Sequence, residues 1–91
     1  MTENKNKVDV KIFGEEYAIK ANLPANYMKK LAAYVDTKML EVAEKNYHQG
    51  VHKIAILTAI NLSDEIFNLQ RELKLAKAKL EQREKKGDTK R

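Results

Sequence analysis

The C-terminal half of the chain carries an unbroken heptad pattern of apolar residues. Apolar side chains recur there at alternating spacings of four and three residues: Ala55, Ala59, Leu62, Ile66, Leu69, Leu73, Ala76 and Leu80. This spacing is typical of the a and d positions of a coiled coil, whose narrow seam is buried only when another helix packs against it. The pattern therefore predicts a long helix over residues 51–85 that self-associates along this seam.

The charges beside the seam favour one orientation of the helices. In a parallel pair, each g residue faces the e residue five positions further along the partner. Glu72 then faces Lys77, and Lys79 faces Glu84, so both pairs join opposite charges. Each exposed pair contributes less than ~1 kcal/mol. Leu75 lies at a c position outside the seam, and we hypothesise that two dimers pack through it into a four-helix bundle.

The N-terminal third has the period of β-strands instead. Apolar residues alternate with polar ones before Gly14 and again after it: Val8, Val10 and Ile12, then Tyr17, Ile19 and Ala21. Such alternation is typical of half-buried strands, and it predicts a β-hairpin over residues 8–21 with its turn around Gly14 and Glu15. A lone hairpin is unstable in water, so its apolar face needs cover. Residues 1–7 are polar and are expected to be disordered.

A first helix is predicted over residues 25–46. Pro24 and Asn26 mark its start, because proline is tolerated in a first turn and asparagine can cap a helix. Gly50 is the expected break before the second helix. The apolar residues of the first helix recur at helical spacing on one face: Met28, Leu31, Ala32, Val35, Met39, Val42 and Ala43.

The start of the second helix is more apolar than the rest of it. Between Ile54 and Ile60 the apolar residues cover almost the whole circumference, which predicts burial on several sides, by the same chain and by a second subunit. The expected fold is α+β: a small head at residues 8–50, built from the hairpin and the short helix, followed by a long C-terminal coiled-coil helix. Residues 86–91 are expected to form a basic disordered tail.

Composition narrows the function classes. The 91 residues form one small domain at most, near the size at which oligomerisation often supplies missing burial. Of the net charge of +5, residues 83–91 supply +3 and residues 8–50 none. This distribution argues against the hypothesis that the protein binds nucleic acid through a folded basic surface. The absence of cysteine fits a reducing cytoplasm. The first residues lack an apolar leader, and no apolar run is long enough to span a membrane.

No catalytic, metal-binding or cofactor-binding constellation is predicted. His48 and His52 have the spacing of two zinc ligands, but Gly50 falls between them and no third ligand is evident nearby. Ser63 has no nearby histidine, so a nucleophilic triad is not expected. The four tyrosines are expected to line the edge of the core with wet hydroxyls rather than to stack bases.

Four segments resemble the ZapA family of bacterial cell-division proteins. They are Val8-Asp-Val-Lys-Ile-Phe-Gly followed by Tyr17-Ala-Ile, then Ala33-Tyr-Val-Asp-Thr-Lys-Met, and Ile54-Ala-Ile-Leu-Thr-Ala-Ile-Asn-Leu-Ser-Asp-Glu. A coiled coil follows these segments in the family as well. The resemblance implies a cytoplasmic protein of the division ring that binds FtsZ, the tubulin-like GTPase, cross-links its filaments and reduces GTP turnover. It also implies parallel dimers that join through their coils into tetramers.

Two sets of residues are the candidate sites. Contacts with FtsZ are expected from charged residues near the hairpin tip and the start of the second helix: Lys11, Glu15, Glu16, His52 and Lys53. Self-association is expected through Ala59, Leu62, Ile66, Leu69, Leu73, Leu75, Ala76 and Leu80. Two other classes stay open, a coiled-coil adaptor for another cytoplasmic partner and a basic helical protein that coats nucleic acid.

Overall fold

A computed structural model describes the backbone of residues 6–89 and the side chains of residues 6–84. The order of elements is β1 (Asn6–Ile12), β2 (Glu15–Ala21), α1 (Ala25–Lys45) and α2 (Val51–Thr89). The predicted α+β fold, a hairpin followed by a short and a long helix, is therefore confirmed. The expectation that residues 1–7 are disordered is wrong for Asn6 and Lys7, which lie in β1. Residues 1–5 of that segment fall outside the described part of the chain.

The hairpin is joined by a tight two-residue turn. Strands β1 and β2 pair antiparallel from Asn6 with Ala21 to Ile12 with Glu15, which leaves Phe13 and Gly14 as the turn. Both have positive φ, 54° and 82°, as a type I′ turn requires. The turn therefore lies one residue earlier than the sequence predicts. Phenylalanine rarely adopts this conformation, so its residue type does not mark Phe13 as a central residue of the turn.

Helix α1 begins without a side-chain cap. Pro24 occupies the N-cap position in an extended conformation, and its carbonyl accepts the first helical hydrogen bond from the Met28 amide. Asn26 lies inside the helix, so the expectation that asparagine would cap it is wrong. At the other end Asn46 follows the last helical residue, and its side-chain amide donates to the Val42 carbonyl over 2.9 Å. This bond satisfies a carbonyl that the helix end leaves free.

Two apolar clusters hold the first part of the chain together. Val8 and Val10 of β1 pack on Met28 and Ala32 of α1. In the second cluster, side chains from α1 and the first turn of α2 meet beside the hairpin tip: Met39, Val42 and Ile54, with Ile12, Phe13, Val35, Ala43 and Leu57 around them. Ile54 is 1% exposed, so the start of α2 belongs to this core.

Helix α2 continues past its predicted end. It has 39 residues, or about 58 Å at 1.5 Å per residue. The prediction of a disordered tail over residues 86–91 is wrong for residues 86–89, which are helical. Residues 90 and 91 lie outside the described range. Gly87 costs a helix only about 1 kcal/mol, and the lysines and glutamate before it are good helix formers. Compact packing divides the chain between Thr58 and Ala59; we call residues 6–58 the head unit and residues 59–89 the coil unit.

Candidate interaction surfaces

The predicted seam lies uncovered in the single chain. Most of the proposed self-association residues are exposed, including every large one after Leu62, which is itself half-buried. The exposed members are Ala59, Ile66, Leu69, Leu73, Leu75, Ala76 and Leu80. A helix with these apolar residues open to water gains stability when it pairs with another helix.

Two further apolar side chains of the coil unit lie outside the seam. Leu75 and Phe67 are both exposed, at c and b positions of the heptad. They are available to a further helix after the a and d positions have been covered by a first one. The hypothesis of a four-helix bundle depends on Leu75.

The head unit has an open apolar groove of about 210 Å³. It arises because α1 packs on β1, while every residue of β2 except Ala21 is exposed. Ile19 pairs with Val8 and Tyr17 with Val10, so these residues share the sheet face whose other half α1 covers. The groove is lined by β2, the connection after it and α1: Ile19, Ala21, Leu23, Met28, Leu31, Ala32 and Val35.

The charged residues proposed for partner binding lie in two places of the head unit. Lys11 and Glu16 are directly opposite on the two strands, and Glu15 opens β2 at the turn. His52 and Lys53 lie in the first turn of α2, and all five residues are exposed. Ile12 and Phe13 pack in the same cluster as Ile54, so the hairpin tip and the start of α2 share one part of the core. Within the described residues, no hydrogen bond or ion pair joins the five to one another.

Sequence reasoning missed an exposed aromatic residue in the loop between the helices. Tyr47 is 84% exposed and does not line the core edge as expected, because loop residues 46–50 hold it away from the packed helices. Its ring meets the His48 ring edge-on, with 5.1 Å between centroids and 87° between planes. The Gln49 amide donates to the Asn46 carbonyl over 2.9 Å and keeps the loop tight. The position of Tyr47 between the two predicted helices is the signal that separates it from the other tyrosines.

The remaining candidates for chemistry are Ser63 and the histidine pair His48 and His52. Ser63 donates its hydroxyl to the Ala59 carbonyl one turn earlier, over 3.0 Å. His48 lies in the loop and His52 in α2, so the pair does not share a helix. Across the part of the chain that the structure describes, no three histidine or carboxylate residues are grouped closely enough to hold a metal ion. In the same part, no helix is both long and apolar enough to cross a membrane.

An apolar groove in a small α+β unit and an uncovered heptad seam are typical of proteins that assemble with other chains. The sequence model of the family described as Cell division protein ZapA matches residues 8–90. The chain therefore belongs to the ZapA family of cell division proteins.

Individual relatives agree with this assignment over nearly their whole length. The chain is 40% identical over 86 residues to Cell division protein ZapA of Geobacillus thermodenitrificans, covering 94% of this chain and 93% of the relative. It is 32% identical over 80 residues to the protein of the same name from Bacillus licheniformis, covering 88% and 94%. A solved structure, a ZapA mutant dimer from Geobacillus stearothermophilus, is similar with a TM-score of 0.64 at 35% identity, covering 89% of this chain and 95% of that one.

Proposed function

We propose that this protein binds FtsZ and cross-links its filaments into bundles, promotes assembly of the division ring and lowers GTP turnover by FtsZ. The observation that carries the proposal is the uncovered seam of α2 in a chain of a cell-division family. A protein that pairs along this seam carries two copies of its head unit. It works as a non-enzymatic cross-linker in the cytoplasm, at the mid-cell ring.

The mechanism depends on joining several binding surfaces. One head unit that binds one filament weakly does not bundle filaments. Two or four head units in one assembly turn the second binding event into an intramolecular one, which raises the effective affinity without any new type of contact. A parallel dimer through the seam, followed by association of two dimers beside Leu75, supplies four head units.

The filament contact is proposed on the charged residues of the head unit. Lys11, Glu15 and Glu16 surround the hairpin turn, and His52 and Lys53 lie in the first turn of α2. Their exposure leaves them free to meet a charged surface of FtsZ. The hydrophobic cluster beneath them, with Ile12, Phe13 and Ile54, fixes the backbone that presents them.

The test is co-pelleting and light scattering of FtsZ polymerising with GTP, with and without this protein. We expect the protein to pellet with FtsZ, scattering to rise and GTP hydrolysis to fall. A variant that combines Glu15→Lys and Glu16→Lys should differ from the unaltered protein in the fraction that pellets with FtsZ. The mass of its assembly in solution should stay the same. Lys20→Glu on β2 is the matched control, because it also reverses a charge on the exposed hairpin but lies away from the turn.

The alternative is a coiled-coil adaptor for a different cytoplasmic partner. The same uncovered seam supports self-association in that case too, so only the partner distinguishes the two functions. A well-folded assembly that neither pellets with FtsZ nor bundles it would refute the FtsZ proposal and leave the adaptor.

A further inference from the structure

Three neighbouring residues at the start of α2 point in three different directions. Successive residues of a helix are about 100° apart around its axis. Ile54 is buried in its own head unit, Ala55 belongs to the predicted seam, and Ile56 points to a third side, where it is 48% exposed. The next turn repeats this arrangement: Thr58 is buried, Ala59 is a seam residue, and Ile60 is 60% exposed.

Ile56 and Ile60 lie outside both the chain's own core and the a and d positions of the seam. Ile56 belongs to neither apolar cluster of the head unit, and α2 contributes no residue to the lining of the groove. Both isoleucines are also outside the a and d positions: Ile60 lies at a b position away from the seam, and Ile56 lies at an e position on its flank, where a partner helix covers a side chain only in part. The groove and this pair are therefore two apolar surfaces that need cover within one chain.

The symmetry of a parallel pair places Ile56 of one chain on the same side of the helices as the partner's head unit. A two-fold axis between two parallel helices turns the partner's head to the side opposite to a chain's own head. Ile54 faces the chain's own head unit, about 100° to one side of the seam. Ile56 lies about 100° to the other side, which is the side of the partner's head.

We propose that Ile56 and Ile60 of each chain dock into the apolar groove of the partner's head unit. The inference rests on the parallel pairing within the proposed function and extends it from the seam to the heads. We choose a second copy of this chain as the occupant of the groove because the similar solved structure, at 35% identity, is a dimer. The contact also continues directly from the seam, since Ala55 and Ala59 lie beside the two isoleucines.

The groove suits branched aliphatic side chains. Its lining residues are all apolar, and Leu31 and Ile19 are exposed on its rim. The groove, with a volume of about 210 Å³, is large enough to accept isoleucine side chains from a helix that crosses it. Each head then completes its core with residues of the other chain, so that paired heads and paired helices form together.

Engineered cross-linking tests the contact directly, because the natural chain has no cysteine. One chain carries Leu31→Cys, a second carries Ile56→Cys, and the two are co-expressed with different tags. Oxidation should give a covalent pair that contains both tags and has the summed mass of the two tagged chains. The matched control replaces Leu31→Cys by Lys20→Cys. Lys20 follows Ile19 on β2 and therefore points to the other face of the sheet.

A second cysteine pair, Ile19→Cys with Ile60→Cys, tests the same contact in case a variant of the first pair does not fold. The proposal is overturned if chains that remain dimeric by mass give no mixed covalent pair with either combination. It is also overturned if the Lys20→Cys control cross-links as strongly. A chain that carries both Leu31→Cys and Ile56→Cys and closes on itself as a monomer would show that the groove is filled within one chain. FtsZ is absent from the assay, so failure of FtsZ binding leaves this result unaffected.

Discussion

The backbone amide of Phe13 donates a hydrogen bond to Oδ1 of Asp36, over 2.7 Å and across 23 residues of sequence. The bond joins the hairpin turn to the middle of α1. Phe13 has a φ of 54°, a conformation that a bulky side chain seldom adopts. Its half-buried ring also packs beside Met39, Val42 and Ile54. A charged acceptor and an apolar contact thus hold a turn that the local sequence does not favour.

Removal of the Asp36 carboxylate should loosen the turn. We expect Asp36→Ala to lower the free energy of unfolding by about 1–3 kcal/mol, since the partly buried amide loses a charged acceptor. Asp36→Asn keeps an acceptor oxygen and should lose less. Urea unfolding at fixed protein concentration measures both. Asp9→Ala, which removes an exposed carboxylate from β1, should stay within about 0.5 kcal/mol, and an equal loss there would contradict the role of Asp36.

The two glycines of the head unit should respond differently to alanine. A Cβ at either glycine meets no atom within 4 Å, so neither substitution creates a clash. Only Gly14 has positive φ, at 82°, and there alanine costs about 1–2 kcal/mol in backbone strain. We expect Gly14→Ala to lower the thermal midpoint clearly and Gly50→Ala to change it little. Equal effects would argue against the two-residue turn.

Disruption of the seam should abolish pairing and bundling together. Leu73→Lys places a charge at a predicted a position, where burial of the leucine in a dimer contributes about 2 kcal/mol or more. Sedimentation should show a lower mass, and FtsZ bundling should disappear with it. Ala78→Lys is the control, because it adds the same lysine at an exposed f position of the same helix. Bundling by a variant proven to be monomeric would refute the cross-linking mechanism.

Leu75 offers a test of the proposed association of two dimers. Leu75→Lys leaves the a and d positions intact, so we expect pairing to survive and any four-chain assembly to fall to two chains. Analytical ultracentrifugation over a range of concentrations measures the change. An unchanged mass would count against packing of two dimers through the c position.

The periodicity of apolar residues predicted most of the fold. Alternation at Val8, Val10 and Ile12 places a strand, and steps of three and four place both helices, because side-chain direction follows directly from backbone geometry. The sequence pattern places the turn one residue late, since Phe13 is held in its conformation by Asp36, which is distant in sequence. The helical end at Thr89 was missed because one glycine is weaker than its helix-forming neighbours.

The same patterns do not say what covers an apolar face. Ile19 and Leu31 read as core residues from their spacing, yet α1 covers only the β1 half of the sheet and leaves both on the rim of the groove. A period identifies which side chains share a face. The partner of that face depends on tertiary and quaternary packing, so the groove became visible only in the structure.

The groove also bears on the fate of newly made chains. A chain that has left the ribosome but has not met a second copy carries an uncovered apolar groove and an uncovered seam. Surfaces of this kind are recognised by chaperones and proteases, and they promote aggregation. The proposed pairing would hide the seam, so the rate at which chains find one another would compete with their clearance. The amount of working protein should therefore fall more steeply than the rate of synthesis when expression is low.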